Sequence, residues 1–196
     1  IVVITSVWVW DECLKYRFYP KRWGVVEQEA IYRSGQLSPS VILQTLKKYD
    51  IHRVIDLTNG TPEDGIEQTA ELEAIQKLNI ESIKIPLCGD GTGSLANYAR
   101  AVAEVHKSVK LGQPVLVHCA AGSKRTSGVL VYYLVLVKHC DPIKTVREMQ
   151  RYDFGPKSSP ELIRFLNRNM NEVAKRLVKA GVLDHVPEVL PLLPCL

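Results

Sequence analysis

An α/β fold in three layers, with a central, mainly parallel sheet flanked by helices, is predicted by three features of this 196-residue chain. Short apolar runs alternate with longer amphipathic ones along most of its length. One run, Pro114 to His118 (PVLVH), has the apolar character of a strand inside a parallel sheet. Helix start and stop signals, such as Ser38-Pro39, Asp141-Pro142 and Gly181, fall between the runs.

The elements follow in order. Val25 to Arg33 (VVEQEAIYR) predicts two short strands around a polar turn. Ser38 at N-cap and Pro39 at the first helical position predict a helix through VILQTLKKY. His52 to Thr58 (HRVIDLT) is a buried strand closed by Asn59-Gly60. The polar loop TPEDG leads into a helix from about Ile66 to Leu78, whose apolar positions are Ile66, Ala70, Leu72, Ala74, Ile75 and Leu78. Ile80 to Leu87 alternates as a strand does. The glycine-rich CGDGTGS then ends at Ser94, which caps a helix to about Val109. After the strand 114–118 comes a turn of small, polar residues over 119–125. Val129 to Val137 is nine apolar residues, rich in β-branching, yet the CDP that follows marks a helix end, so a buried central helix is expected. Pro142 to Tyr152 and Ser159 to Ala180 read as amphipathic helices, and a Pro-rich tail, 181–196, follows.

Composition is that of a globular domain, with 46% hydrophobic and 23% charged residues. A net charge of +4 is too small and too scattered to argue for nucleic acid. The five cysteines, 13, 88, 119, 140 and 195, include no CxxC pair, so neither a disulfide scaffold nor a zinc ribbon is indicated. The dipeptides His118-Cys119 and His139-Cys140 fit no zinc spacing, and neither metal nor other cofactor is expected.

The chemistry concentrates in HCAAGSKRTS, residues 118–127. Cys119 follows a buried strand, and a helix begins at about Arg125. The small residues Ala120, Ala121 and Gly122, with Ser123 and Lys124, let successive backbone N–H groups converge, and the helix adds the positive end of its dipole. Arg125 offers a planar fork for two phosphate oxygens. Such a cradle holds a tetrahedral dianion above a sulfur, and the same field lowers a thiol from about 8.5 into the range of roughly 3.5–7.5. Cys119 is the expected nucleophile. Thr126 is placed to hydrogen-bond its sulfur and ease its departure, and His118 to tune it as a neighbour.

This segment resembles the HCxxGxxR[ST]G signature of the protein tyrosine and dual-specificity phosphatase superfamily. IYRSGQL (31–37), VIDLT (54–58), IPL (85–87) and EMQRYDF (148–154) resemble its compact bacterial and atypical dual-specificity members, over about residues 24–178. The resemblance implies a dual-specificity phosphatase-like fold, Cys119 as nucleophile, Arg125 as phosphate binder and the N–H groups of 120–125 as the oxyanion cradle.

An acid must also protonate the leaving oxygen. Asp90, on the glycine-rich loop after IPL, is the first choice, at a place comparable to the family's acid, although GDGTG lacks the tryptophan-proline context of tyrosine-specific enzymes. Asp64 in TPEDG is the rival, and Asp56 in VIDLT is read as structural. Gly89, Gly91 and Gly93 do not make a dinucleotide fingerprint, because position 94 is Ser and no strand–turn–helix start is present. Lys124 is read either as a second cation at the pocket rim, favouring substrates with several phosphates, or as a solvated lysine. Arg33 is read first as structural and second as facing the site. Cys88 is a candidate for a protective disulfide with Cys119 on oxidation.

The expected function is hydrolysis of phosphate monoesters through a phosphocysteine intermediate, on a phosphoprotein, a phosphoinositide or an inositol phosphate. A non-catalytic phosphate-binding module and a rhodanese-like sulfurtransferase are the alternatives from other classes. Three parts are expected: an apolar and basic segment 1–23, a phosphatase domain 24–180 and the tail 181–196. Ile1 to Trp10 is apolar and is followed by basic and aromatic KYRFYPKRW. That order suits the distal part of a membrane anchor at the cytoplasmic face, with a short element packed on the domain as the other reading. A monomer is expected, with nothing before about Gly24 needed for catalysis.

Overall fold

The computed structural model describes residues 15–60 and 65–194. The order of elements is a short helix α1 (Lys15–Phe18), β1 (Gly24–Glu27), β2 (Ile31–Gly35), α2 (Ile42–Lys48), β3 (Arg53–Asp56), α3 (Ile66–Leu78), β4 (Glu81–Lys84), α4 (Leu95–Lys110), β5 (Val115–Cys119), α5 (Lys124–Tyr132), a π-helical turn (Tyr133–Val137), α6 (Pro142–Met149), a 3₁₀ turn (Gln150–Tyr152) and α7 (Pro160–Lys179).

The five strands form one sheet in the order β1-β2-β5-β3-β4. Only β1 runs antiparallel, so the sheet is mixed but mainly parallel, as expected. β5 lies at the centre, parallel to β2 on one side and β3 on the other, with Gly35 opposite Cys119 and Asp56 opposite His118. A strand covered on both faces carries no polar side, which explains PVLV. Side chains alternate across the sheet. Val115, Val117 and Cys119 join the larger core under α4, α5, α6 and α7, whereas Leu116 joins the smaller one under α2 and α3. His118 follows Leu116, towards α3.

The run Val129 to Val137 is helical, as its following Asp-Pro indicated. A helix that is apolar all round is buried, and Val129, Leu130, Val131 and Tyr132 are fully enclosed. Its last turn widens to a π-turn, in which Lys138 N donates to Tyr133 O at 3.1 Å. Asp141 caps α6, accepting from Lys144 N at 2.8 Å.

Two local expectations are corrected. The second helix starts at Ile42, not at Pro39. Ser38 spends its hydroxyl on Tyr16 O, and residues 38–41 form a turn in which Val41 N and Ile42 N both donate to Ser38 O at 3.1 Å. In α3 the inward face is Glu71, Ala74 and Ile75, whereas Ile66 and Leu72 are exposed.

The expected boundary at Gly24 falls inside a packed segment. Trp23 stacks on Tyr32 at 5.5 Å and on Tyr49 at 4.5 Å, and Lys21 O accepts from Gly35 N at 2.7 Å. The tail is also held. Leu193 is buried, and its backbone exchanges two hydrogen bonds with the Asn167 side chain of α7, at 2.8 and 2.9 Å. Among the described residues, no helix is long and apolar enough to cross a membrane. Ile1 to Trp10 lies outside the described residues.

Candidate active site

The loop 119–124 joins the C-terminal end of the central strand β5 to α5. In a trans peptide the carbonyl and the next N–H point opposite ways, so whatever holds the carbonyls outward turns the amides inward. Three consecutive carbonyls are held in this way. Ala120 O accepts from Gln36 N at 3.1 Å, Ala121 O from Arg22 Nη1 at 2.9 Å, and Gly122 O from Arg33 Nη2. The N–H groups of residues 121–123 are thereby turned to the concave side, and Gly122 N donates to Cys119 Sγ at 3.2 Å.

Gly122 is required here. Its φ is +71°, and a Cβ at this position would lie 2.3 Å from Gly35 N. The loop therefore seats directly on the end of β2. Ser123 Oγ donates to Asp153 O at 2.9 Å, which ties the loop to the segment after α6.

Cys119 is buried. Burial pushes its thiol up, but the Thr126 hydroxyl and N–H, the Arg125 charge and the Gly122 N–H outweigh it, and the net shift is downward. The Thr126 hydroxyl is itself buried without another partner, and its approach to the sulfur falls short of full hydrogen-bond geometry. Arg125 rests part-buried with Nη1 on Leu57 O at 3.3 Å, at the end of β3. Cys88 and Cys119 are both free thiols, Cys88 at the surface.

Arg33 sits beneath the loop rather than in it. It is wholly buried, and besides Gly122 O its guanidinium reaches Ser127 Oγ at 3.1 Å and Met149 Sδ at 2.9 Å. The Tyr152 ring lies 3.7 Å from its central carbon. Burial lowers its pKa to about 10, with the neighbouring Tyr152 and Cys119 opposing, so it stays charged at neutral pH. The structural reading of Arg33 is the one the geometry supports.

His118 pairs with a residue that the sequence reading missed. Its Nε2 lies 3.1 Å from Glu71 Oε1 and 3.8 Å from Asp56 Oδ1. Burial opposes its charge, but Glu71 and then Asp56 raise its pKa to about 9. Glu71 also accepts from Nε2 of Gln36 at 2.6 Å, the same residue whose backbone N–H holds Ala120 O. The spacing 71, 74, 75 was the available signal, since it puts a carboxylate on the buried face of α3. Asp56 accepts from Thr58 N at 2.7 Å and from Lys84 Nζ at 2.9 Å, in keeping with a structural role. Asp56, Glu71 and His118 lie close enough together to bind an ion, but Glu71 and Asp56 are already engaged by His118 Nε2, Gln36, Thr58 and Lys84, while His118 Nδ1 is buried without a partner.

Asp90 stands on the loop between β4 and α4. Gly91, at φ +93°, packs so closely on Leu162 and Lys124 that a Cβ would lie 2.6 and 3.1 Å from their side chains. The buried Tyr98 hydroxyl donates to Gly91 O. Asp90 Oδ1 accepts from Thr92 N at 2.9 Å and Thr92 Oγ1 at 2.8 Å. These two bonds, and more weakly the Lys124 charge, hold the exposed carboxyl below its ordinary range. The structure thus brings Lys124 to the loop of Asp90. Asp64 lies outside the described residues.

Residues 35–171 match the family model "Dual specificity phosphatase, catalytic domain". The rat "Phosphatidylglycerophosphatase and protein-tyrosine phosphatase 1" is 30% identical over 89 residues, which are 45% of this chain and 46% of that protein. The chain thus spans about half the length of this curated relative. The core catalytic domain of the S. cerevisiae PP-IP phosphatase SIW14, solved with citrate, superposes with a TM-score of 0.66 at 19% identity, covering 84% of this chain and 95% of that one. PTPMT1 in complex with PI(5)P gives 0.58 at 17% identity, over 79% and 97%. At these identities the solved structures speak for the fold alone. A sulfur in a ring of inward amides at the end of a central parallel strand, with the family match across most of the domain, places this chain in the dual specificity phosphatase catalytic-domain family.

Proposed function

We propose that the chain is a metal-independent phosphatase that hydrolyses phosphate monoesters in two steps through a phosphocysteine on Cys119. The observation that carries this reading is the loop whose three outward-bonded carbonyls aim its amides at the space around a buried thiol of lowered pKa. The Cys119 thiolate attacks phosphorus in line, an S–P bond forms and the P–O ester bond breaks. The electron pair leaves on the ester oxygen, which takes a proton from Asp90. Water then attacks the phosphocysteine, gives its proton to Asp90, and the S–P bond breaks to release phosphate and restore the thiolate. The amides of 120–125 and the Arg125 guanidinium neutralise the equatorial oxygens in both transition states. Asp90 has one carboxylate oxygen bonded twice to Thr92, which leaves the other for the proton.

The substrate class favoured is a phosphoinositide or inositol phosphate, with phosphoproteins as the second reading. Lys124 beside the acid loop adds a cation near the entering phosphate. Fold neighbours solved or described with PI(5)P and as a PP-IP phosphatase are in keeping with this class. Residues 1–14 are proposed to attach the domain to a membrane surface.

The test is Cys119→Ser. Turnover of p-nitrophenyl phosphate should vanish while the protein keeps its fold and still binds vanadate or phosphate. Hydrolysis that persists in this variant, or wild-type activity that is lost in EDTA and restored by a divalent metal, would sink the mechanism.

A further inference from the structure

A cavity of about 340 Å³ adjoins the catalytic loop at Ala120, and is lined also by Tyr16, Arg17, Lys21, Gln36, Ser38, Glu67 and Gln68. We propose that it is a subsite for a second phosphate group, carried on the same small scaffold as the phosphate that reaches Cys119. The inference rests on the phosphatase reading above and narrows its substrate to molecules with two or more phosphates, such as an inositol bisphosphate or the headgroup of a bisphosphorylated phosphoinositide.

Four observations carry it. Ala120, the residue after the nucleophile, is exposed and belongs to both the catalytic loop and the cavity wall, so one ligand can occupy both. The wall opposite is anchored rather than loose. Lys21 O accepts from Gly35 N at 2.7 Å, Ser38 Oγ donates to Tyr16 O at 2.8 Å, and Ser40 Oγ donates to Arg17 O. The two cations on this wall are uncommitted, for among the described residues no carboxylate lies within ion-pair distance of Arg17 or Lys21. Arg22 beside them is spent on Ala121 O and Asp153. The Lys21 stem runs along Gly35, where a Cβ would lie 2.9 Å from its Cδ, and its ammonium stands 5.6 Å from the Tyr16 ring centre. Gly35 therefore admits the lysine to the loop's edge. Gln36, Gln68 and Ser38 add neutral polar groups, and Glu67 in the first turn of α3 opposes the cations. A monoanionic or neutral substituent gains little against Glu67, whereas a dianion gains from both cations.

The test compares kcat/KM of the full chain, Arg17→Gln/Lys21→Gln and Glu67→Gln on p-nitrophenyl phosphate, a soluble inositol bisphosphate, and vesicles bearing a phosphatidylinositol bisphosphate. The double variant should lose roughly tenfold or more on both bisphosphates and stay within about twofold of wild type on p-nitrophenyl phosphate. Glu67→Gln should move the opposite way, by about threefold. Equal loss on all substrates would show these cations supporting the catalytic loop and would overturn the subsite. So would loss confined to vesicles, which would mark a membrane contact, or no change at all. Calorimetric binding of the soluble bisphosphate to Cys119→Ser, with and without the double substitution, reads the subsite even if the wild type hydrolyses nothing. A fall of roughly tenfold in affinity is expected there, and an unchanged affinity refutes the subsite.

Discussion

Replacing Arg33 by Met keeps most of the side-chain volume and removes a group that connects the loop around Cys119 to α5, to α6 and to the turn after it. The guanidinium bonds Gly122 O, Ser127 Oγ and Met149 Sδ and lies 3.7 Å from the Tyr152 ring. Each hydrogen bond from a charged donor contributes about 1.5–3 kcal/mol net, and a desolvated cation–π contact about 2 kcal/mol. Burying a whole guanidinium costs several kcal/mol, and Met carries no such cost. The remaining loss is dominated by the orphaned Gly122 carbonyl and the released Tyr152, so a net destabilisation of about 2–4 kcal/mol is expected. That is a large fraction of the roughly 5–15 kcal/mol available to a domain. Activity should fall further than stability. A loop amide displaced by about 1 Å can cost on the order of 10²-fold in rate. The assay is urea unfolding together with kcat for p-nitrophenyl phosphate under conditions where the variant is fully folded. Arg33→Lys, which keeps a charge but not the fork, should recover part of the stability and little of the rate. A folded Arg33→Met with wild-type kcat would refute the claim that this arginine orients the loop. Wild-type stability would refute the energetic reasoning as well.

The remaining predictions concern the acid, the buried histidine and the N-terminal segment. Asp90→Asn should slow alkyl phosphates by about 10²–10⁴-fold and aryl phosphates far less, because good leaving groups need little protonation. If Asp64→Asn does this instead, the acid is Asp64. Thr92→Val removes one of the bonds that hold the Asp90 carboxyl low, so the basic limb of the pH–rate profile should move to higher pH. An unmoved limb separates Asp90 from that limb. His118 has a folded-state pKa of about 9 against an ordinary 6.5, so its pairing with Glu71 contributes stability that is fully present below about pH 6.5 and is lost as pH rises through about 9. This contribution is on the order of 3 kcal/mol, and the fall in unfolding midpoint over that window should be largely absent in Glu71→Gln. A chain starting at Lys15 should keep its fold and its activity on p-nitrophenyl phosphate but bind vesicles less than the full chain. One starting at Gly24 loses Trp23, the Arg22 bond to Ala121 and the Lys21 bond to Gly35, and should be unstable. A stable, active Gly24 start would contradict the bracing assigned to these residues.

By itself the sequence determined the elements whose cause is local or periodic. The apolar strand before Cys119, the small residues after it, the Asp141-Pro142 helix start and the alternation of strands and helices each follow from propensities and short spacings. Together these were enough for the fold class and for the strand, turn and helix around Cys119. The helix over 129–137 was also legible, since an unbroken apolar run ending at a helix cap must be buried somewhere. What only the tertiary structure decided are the partners brought together across long separations. Strand order places Gly35 opposite Cys119, and from that register follow the seat of Gly122 on β2 and the reach of Arg33 to Gly122, 89 positions along the chain. The parity of β5 sends Cys119 to one core and His118 to the other, where Glu71 becomes its counter-ion. The packing of residues 21–23 on the domain and the start of α2 were not legible for the same reason. Lys21, Arg22, Trp23 and the Ser38 hydroxyl find their partners in contacts that no local pattern encodes. Local signals report what a residue prefers, and packing decides which of several polar neighbours satisfies it.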